Sequence, residues 1–152
     1  MAYTTAEARI QLLDDLAHAI DEIGVALGAL GEAYELLDEQ NGDRMEEQLF
    51  RPVQVAFGRA RRTHTGFAER HGLPTRSFEA ASPGLPSTGA KGFIDSAVAA
   101  VANADGTLAE LQDSGLPAEV GDVELRAALR DVRALLGDVR QNARALERTL
   151  GR

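Results

Sequence analysis

Residues 4–40 read TTAEARIQLLDDLAHAIDEIGVALGALGEAYELLDEQ, and apolar or small residues recur along them in steps of three and four. They form two series, Leu12, Leu16, Ala19, Ile23, Ala26, Leu30, Ala33 and Leu37, and Ile10, Leu13, Ala17, Ile20, Gly24, Leu27, Gly31 and Tyr34. Steps of this size place residues on one face of an α-helix. Because the two series are adjacent, the apolar face is wide, which predicts one long helix packed against two neighbours.

Composition points to a globular chain. Of the 152 residues, 44% are hydrophobic and 26% are charged, which predicts a single domain over residues 1–152. The sequence has no Cys, so disulfides, thiolate metal sites and a Cys nucleophile are excluded. We recognise no signal-peptide pattern and no apolar run of about 18–20 residues, so we expect a cytoplasmic protein that does not enter a membrane.

Charge is unevenly distributed along the chain. The formal net charge is −8, which argues against nucleic acid or an anionic membrane as a partner, because both attract basic surfaces. Residues 1–48 contain twelve acidic residues and two Arg, whereas residues 49–76 contain six Arg and one acidic residue. We therefore expect the acidic first helix to lie beside Arg-rich helices.

Three further periodic segments predict helices at about residues 43–71, 90–112 and 122–150. Residues 72–89 contain three of the five Pro and no periodicity, which predicts a linker. With the first helix at about residues 4–40, we predict an all-α, antiparallel four-helix bundle, made of two helical hairpins joined by this long Pro/Gly/Ser linker. The linker is long enough to leave the direction of the third helix open.

Specific residues mark the expected helix ends. Thr4 and Glu7 fit a capping box at the start of the first helix, and Asn41-Gly42 predicts where that helix stops. Asp43 is then the expected cap of the second helix. Pro52 removes a backbone donor, which predicts a kink or break in the second helix shortly before it.

The densest polar cluster surrounds His18 on the first helix. Asp14 and Asp15 lie one turn before it, and Asp21 and Glu22 lie one turn after it, so all five share one surface. Imidazole and carboxylates at this spacing predict a divalent-metal site. The alternative is a solvated acidic face in which the histidine has no ligand.

Two more histidines lie on the second helix. His64 and His71 follow Phe50 and Phe57 in steps of seven, along a line that borders the core. This pattern suggests a haem or metal pocket, with His64 as a ligand and His71 as a cofactor-binding residue. The alternative is a structural, half-buried His64 and a His71 that stabilises the negative end of the helix.

Arginines form a cluster on the second helix and a stripe on the fourth: Arg59, Arg61, Arg62, Arg126, Arg130, Arg133, Arg140 and Arg144. Such a surface could bind an anion or RNA. We favour ion pairs within the chain or between subunits, because acidic residues alternate with these Arg and no aromatic residue accompanies them.

Three glycines lie inside the first predicted helix, where each costs about 1 kcal/mol relative to Ala. They are Gly24, Gly28 and Gly31. We interpret them as positions where another helix backbone comes close. The alternative is a flat ligand that lies over the glycines.

No catalytic triad or phosphate-binding loop can be assembled from these residues, which favours a non-enzymatic function without a cofactor. We predict a helical interaction or scaffold protein that binds a protein partner or self-associates, with a homodimer formed through the first and fourth helices. The alternative is a bundle that binds a ligand, metal or haem at His64 or the His18 cluster.

The sequence Tyr34-Glu35-Leu36-Leu37-Asp38 resembles the Tyr-x-x-x-acid export signal of type VII secretion substrates. The resemblance implies a secreted helical hairpin as a further alternative. The Trp-x-Gly turn of that family is missing between the first two helices.

Overall fold

A computed structural model of the protein describes residues 4–82 and 89–150, which are mostly helical and contain no strand. Four helices are long and two are short: α1 (Thr5–Leu36), α2 (Glu39–Met45), α3 (Arg51–Arg70), α4 (Gly89–Asp113), α5 (Leu116–Glu119) and α6 (Val123–Leu150). A π-helical turn over Glu46–Phe50 joins α2 to α3. The all-α prediction is confirmed, and the bounds of α4 and α6 agree with the sequence to within one residue.

Helix α1 begins where the sequence predicts it. The Thr4 hydroxyl accepts a hydrogen bond from the Glu7 amide, and the Glu7 carboxylate accepts one from the Thr4 amide, both at 3.1 Å. This capping box satisfies two amides that the first helical turn leaves free.

The predicted end of α1 is wrong. Leu37 adopts an extended conformation, and the carboxylate of Asp38 accepts a 2.8 Å bond from the Asn41 amide. Asp38, rather than Asp43, therefore caps the next helix, and Asn41-Gly42 lies inside α2 instead of ending α1. The extended Leu37 leaves the first amides of α2 without helical partners, and the Asp38 carboxylate accepts from one of them.

The break predicted before Pro52 takes the form of the π turn. Because Pro52 has no N–H, the Gln48 carbonyl loses the donor that it would have in an α-helix. The Asn142 side chain of α6 supplies a replacement donor, with 3.0 Å between its Nδ2 and the Gln48 oxygen. The irregular turn is therefore held in place by a contact from another helix.

The wide apolar face of α1 is buried along most of its length. The first series is buried from Leu12 to Ala33. The second series departs from the prediction at both ends, where Ile10 is 45% and Tyr34 is 41% exposed. The neighbouring helices do not cover these ends.

Helix α1 packs against α3 and α4, and α6 packs against the same two helices. Near the start of α1, Arg9 donates to the Val120 carbonyl beyond the end of α4, at 3.0 Å. Farther along α1, Glu22 accepts from Thr107 within α4, at 2.7 Å. These contacts make α1 and α4 antiparallel and so determine the direction that the sequence left open.

Helices α3 and α6 are also antiparallel. Arg59 in the middle of α3 pairs with Asp131, whereas Arg70 at its end pairs with Asp122 just before α6 begins. Buried apolar residues from all four long helices form one core cluster.

Residues 73–82, which we call the strap, follow α3 without forming a helix and contact α1. Phe78 is buried, and the Ala81 amide donates to the Gly24 carbonyl at 3.1 Å. These contacts belong to the first part of the predicted linker 72–89; its residues 83–88 lie outside the described residues.

Candidate functional site

A cavity of about 480 Å³ lies between α1, α3 and the strap. Its wall combines apolar, polar and charged side chains. The lining residues are Ile10, Leu13, Asp14, Ala17, His18, Asp21, His64, Pro74, Thr75 and Arg76. This volume is in the range of about 300–1,000 Å³ that small-molecule sites occupy.

His64 is the most deeply buried polar side chain of this wall, with 4% of its surface exposed. Its Nδ1 atom is shielded from solvent and has no hydrogen-bond partner within the described residues. The Phe78 ring packs against the imidazole edge-to-face, with 5.0 Å between ring centroids. The strap therefore closes one side of the histidine.

The surroundings of His64 keep its imidazole neutral. Burial lowers the pKa of His64, and the positive charge of Arg76 lowers it further, against a smaller opposing effect of Asp14. A neutral imidazole carries one N–H and one lone pair. His64 lines the cavity, and Nδ1 is the ring nitrogen that is shielded from solvent.

Arg76 attaches the strap to α1. Its Nη2 atom donates to both carboxylate oxygens of Asp21, each at 3.0 Å. Its guanidinium group also lies over the Phe78 ring, 4.6 Å from the centroid. This pair neutralises one carboxylate of the cavity and holds the aromatic side chain of the strap in place.

The predicted metal residues do not all lie on this cavity. Asp14, His18 and Asp21 line it together with His64, so the structure joins two clusters that the sequence suggested as separate sites. Asp15 instead accepts a 2.8 Å bond from the Gln11 side chain.

Glu22, the fifth predicted metal residue, accepts from Thr107 of α4 and lies 3.8 Å from His18 Nε2. Within residues 4–82 and 89–150, no three His, Asp or Glu side chains are arranged to hold a metal ion. The divalent-metal site stays a prediction.

His71 lies outside the cavity lining and bonds to Asp122. Its Nε2 is 3.0 Å from the carboxylate, which also accepts from Arg70 at 2.8 Å and from the Leu125 amide at 2.8 Å. Burial raises the pKa of Asp122, but these three hydrogen bonds outweigh it and hold the pKa well below its ordinary value. His71 thus has a structural contact between α3 and α6, and the haem or cofactor role predicted for it remains untested.

Several of the predicted Arg side chains pair within the chain. Arg133 donates to Asp105 of α4 at 2.8 Å, and Arg140 approaches the same carboxylate at 3.5 Å. Arg59 pairs with Asp131. For these residues the prediction of intramolecular pairs is confirmed.

Sequence reasoning missed Arg76 and Phe78, because both lie in a segment with no periodicity. One signal was present. Phe78 is the single aromatic residue of the predicted linker 72–89, and a large apolar ring in an otherwise small and polar stretch favours an anchored rather than a free segment.

No family model, curated protein or solved structure matches the chain. Among the described residues, no helix has the length and apolar character needed to cross a membrane. In the segment that resembles an export signal, Tyr34 lies in the last turn of α1 and Asp38 caps α2. The site must therefore be interpreted from its own chemistry.

Proposed function

We propose that this protein is a non-enzymatic, single-domain four-helix bundle that binds a small molecule in the cavity between α1, α3 and the strap. A binding site in a bundle forms naturally from side chains on facing helices. Here Asp14, His18 and Asp21 come from α1 and His64 comes from α3. The proposal takes up the ligand-binding alternative that the sequence left open.

The observation that carries this proposal is that His64 is buried on the cavity wall although its Nδ1 atom has no hydrogen-bond partner within the described residues. A buried polar atom without a partner costs about 1–3 kcal/mol, and apolar residues of similar volume would avoid that cost. A histidine is therefore unfavourable here for stability alone. Its position on the wall of a cavity of about 480 Å³ favours a role in contacting a ligand through Nε2, the ring nitrogen other than the shielded Nδ1.

The charges of the cavity favour binding over catalysis. Asp21 is already paired with Arg76, so its carboxylate oxygens are occupied by a guanidinium group. His64 packs against Phe78, and within residues 4–82 and 89–150 its Nδ1 atom has no carboxylate partner that would orient the ring as a general base.

A fragment screen followed by ¹⁵N NMR of the histidine side chains tests the proposal. We expect hits to shift the His64 ring resonances and to lose binding in Ala17→Leu, which fills the cavity from its buried wall. Ile10→Trp, at a half-exposed position of the same wall, is a second filling variant that does not depend on core repacking. Ala99→Leu, on an exposed face of α4, is the matched control.

Hits that leave the His64 resonances unchanged, or that bind the two filling variants as tightly as the wild-type protein, would contradict a ligand site in this cavity. Thermal unfolding of each variant separates a filled cavity from a protein that has lost its fold.

Self-association is a second candidate function, favoured by the exposed apolar residues at the end of α1. Leu36 is 55% exposed there, and Tyr34 lies beside it in the same turn. Light scattering should report a dimer for the wild-type protein and a monomer for Leu36→Glu. Val123→Glu, at an exposed position at the start of α6, serves as the control. A wild-type protein that stays monomeric at high concentration would exclude this candidate.

A further inference from the structure

We infer that the ligand of this cavity is a small organic cation, an amine with an apolar body, whose ammonium group pairs with Asp14. This inference rests on the proposed binding function and adds the chemical class of the ligand. It follows from the charges, the apolar surface and the single buried polar group of the cavity wall.

The charges of the wall do not cancel. Asp14 and Asp21 are two carboxylates, and Arg76 is the one guanidinium that faces them. Arg76 forms a salt bridge with Asp21, with 3.0 Å between Nη2 and Oδ2. Within residues 4–82 and 89–150, no Arg or Lys forms a salt bridge with Asp14, which is exposed. With the two lining histidines counted as neutral, one net negative charge is left, and a cation would neutralise it whereas an anion would be repelled.

The apolar side of the cavity fits the body of such an amine. Leu13 and Ala17 are buried and line the wall beneath Asp14, and Ile10 and Pro74 border the opening. Asp14, Ala17 and Leu13 lie within about one turn of each other on α1, so a carboxylate and an apolar surface are presented side by side. A ligand with only a charge would leave this apolar surface without a contact.

His64 adds one polar contact opposite α1. Its ring belongs to α3 and lines the cavity. Because Nδ1 is shielded from solvent, we assign the ligand contact to Nε2. A neutral imidazole can hydrogen-bond to a ligand heteroatom without adding a charge that would repel the ammonium group. The cavity therefore combines charge neutralisation, apolar contact and one neutral polar contact.

Three probes that each join a phenyl ring to one polar group separate these contributions: 2-phenylethylamine, 2-phenylethanol and 3-phenylpropionate. At about pH 7.5 they are positively charged, neutral and negatively charged. We expect calorimetry to show the amine binding about 10-fold more tightly than the alcohol. The acid should bind more weakly than either. The His64 ring resonances should shift with the amine.

The matched variants are Asp14→Asn and Asp15→Asn. Both change one carboxylate of α1, but Asp15 bonds to Gln11 and does not line the cavity. We expect Asp14→Asn to weaken binding of the amine about 10-fold and to leave the affinity for the alcohol unchanged. Asp15→Asn should bind both probes like the wild-type protein.

The outcomes distinguish the two proposals. If the alcohol or the acid binds as tightly as the amine, the cationic class is wrong and the binding function remains. If Zn²⁺ alone binds stoichiometrically and shifts the ring resonances of both His18 and His64, the ligand is a metal ion and the proposal of an organic cation is wrong. If none of the probes shifts the His64 ring resonances and the fragment screen finds no hit at the cavity, the proposed binding function is wrong as well.

Discussion

The backbone amide of Ala81 donates a 3.1 Å hydrogen bond to the carbonyl of Gly24, in the middle of α1. The strap can come this close because Gly24 has no side chain. A Cβ atom built there would lie 3.1 Å from the Glu79 carbonyl oxygen and 3.3 Å from the Phe57 ring. The sequence indicated that a helix backbone would come close to this small residue, but the backbone found there belongs to the strap, and α3 contributes the Phe57 side chain.

Substitution of Gly24 by Ala should loosen the strap. The added methyl group enters a space that the Glu79 carbonyl occupies, so we expect faster amide exchange at Ala81 and faster proteolysis within residues 73–82. Gly31→Ala is the control, because nothing lies within 4 Å of a Cβ built at that position. Gly31→Ala should stabilise the protein by about 1 kcal/mol, as expected for Gly to Ala in a helix. Equal stabilisation by both variants would contradict a tight contact at Gly24.

Phe78 should control how deeply His64 is buried. Phe78→Ala removes the ring that packs 5.0 Å from the imidazole centroid, so water should reach His64 and its pKa should rise toward the ordinary value of about 6.5. A Phe to Ala substitution in a core typically lowers the free energy of unfolding by about 3–5 kcal/mol. We expect a smaller loss for Phe78→Ala, because the strap can detach while the helices stay packed. An NMR titration of His64 in the variant measures the change, and an unchanged pKa would show that the strap does not shield it.

The helices could be predicted from the sequence because apolar periodicity is a local property. Met45, Leu49 and Val53 follow one another in steps of four and are all buried, although the π turn lies between them. The residues at which the helices begin and end were less predictable. The end of α1 depends on whether Asp38 or Asp43 accepts a hydrogen bond from an amide in the first turn of the next helix. Both residues are of a type that is common at helix N-caps.

The site could be predicted only in pieces. The sequence identified His18 with its carboxylates and identified His64, but it placed them at separate sites. Their shared cavity depends on how α1 and α3 align after the break at Leu37 and the π turn. It also needs Arg76 and Phe78, which lie in a segment without a repeating pattern. Contacts of this kind are set by tertiary packing and leave no periodic signal.

Asp122 should contribute more to stability than any exposed ion pair of the protein. It caps α6 through the Leu125 amide at 2.8 Å and also bonds to Arg70 and His71. We expect Asp122→Ala to lower the free energy of unfolding by about 2 kcal/mol, of which the lost cap supplies about 1 kcal/mol. Asp122→Asn keeps an acceptor for the cap and should lose less.

The control for Asp122 is Asp131→Ala, which breaks an exposed salt bridge to Arg59 and should cost less than about 1 kcal/mol. Urea unfolding measures all three variants. Because the pKa of Asp122 is lowered by folding, its contribution is present above the ordinary Asp pKa of about 3.9 and is lost as pH falls below it. Equal costs for Asp122→Ala and Asp131→Ala would contradict the role of Asp122 as cap and ion-pair centre.

His64 should make the protein less stable in mild acid. Folding lowers its pKa, so the unfolded chain takes up a proton at a higher pH than the folded chain does. The free energy of unfolding should therefore fall as pH drops below the ordinary His pKa of about 6.5. His64→Leu removes the group that titrates and should reduce this loss, as measured by urea unfolding at several pH values between about 7.5 and 5.

Leu13→Ala is the matched control for His64→Leu, because it removes packing from the same cavity wall without removing a titratable group. It should lower stability by about 2–5 kcal/mol at every pH and keep the wild-type dependence on pH. If His64→Leu also keeps that dependence, the imidazole is charged in the folded protein at mildly acidic pH. The unpaired Nδ1 would then carry a proton, which its lack of any acceptor within the described residues makes unfavourable.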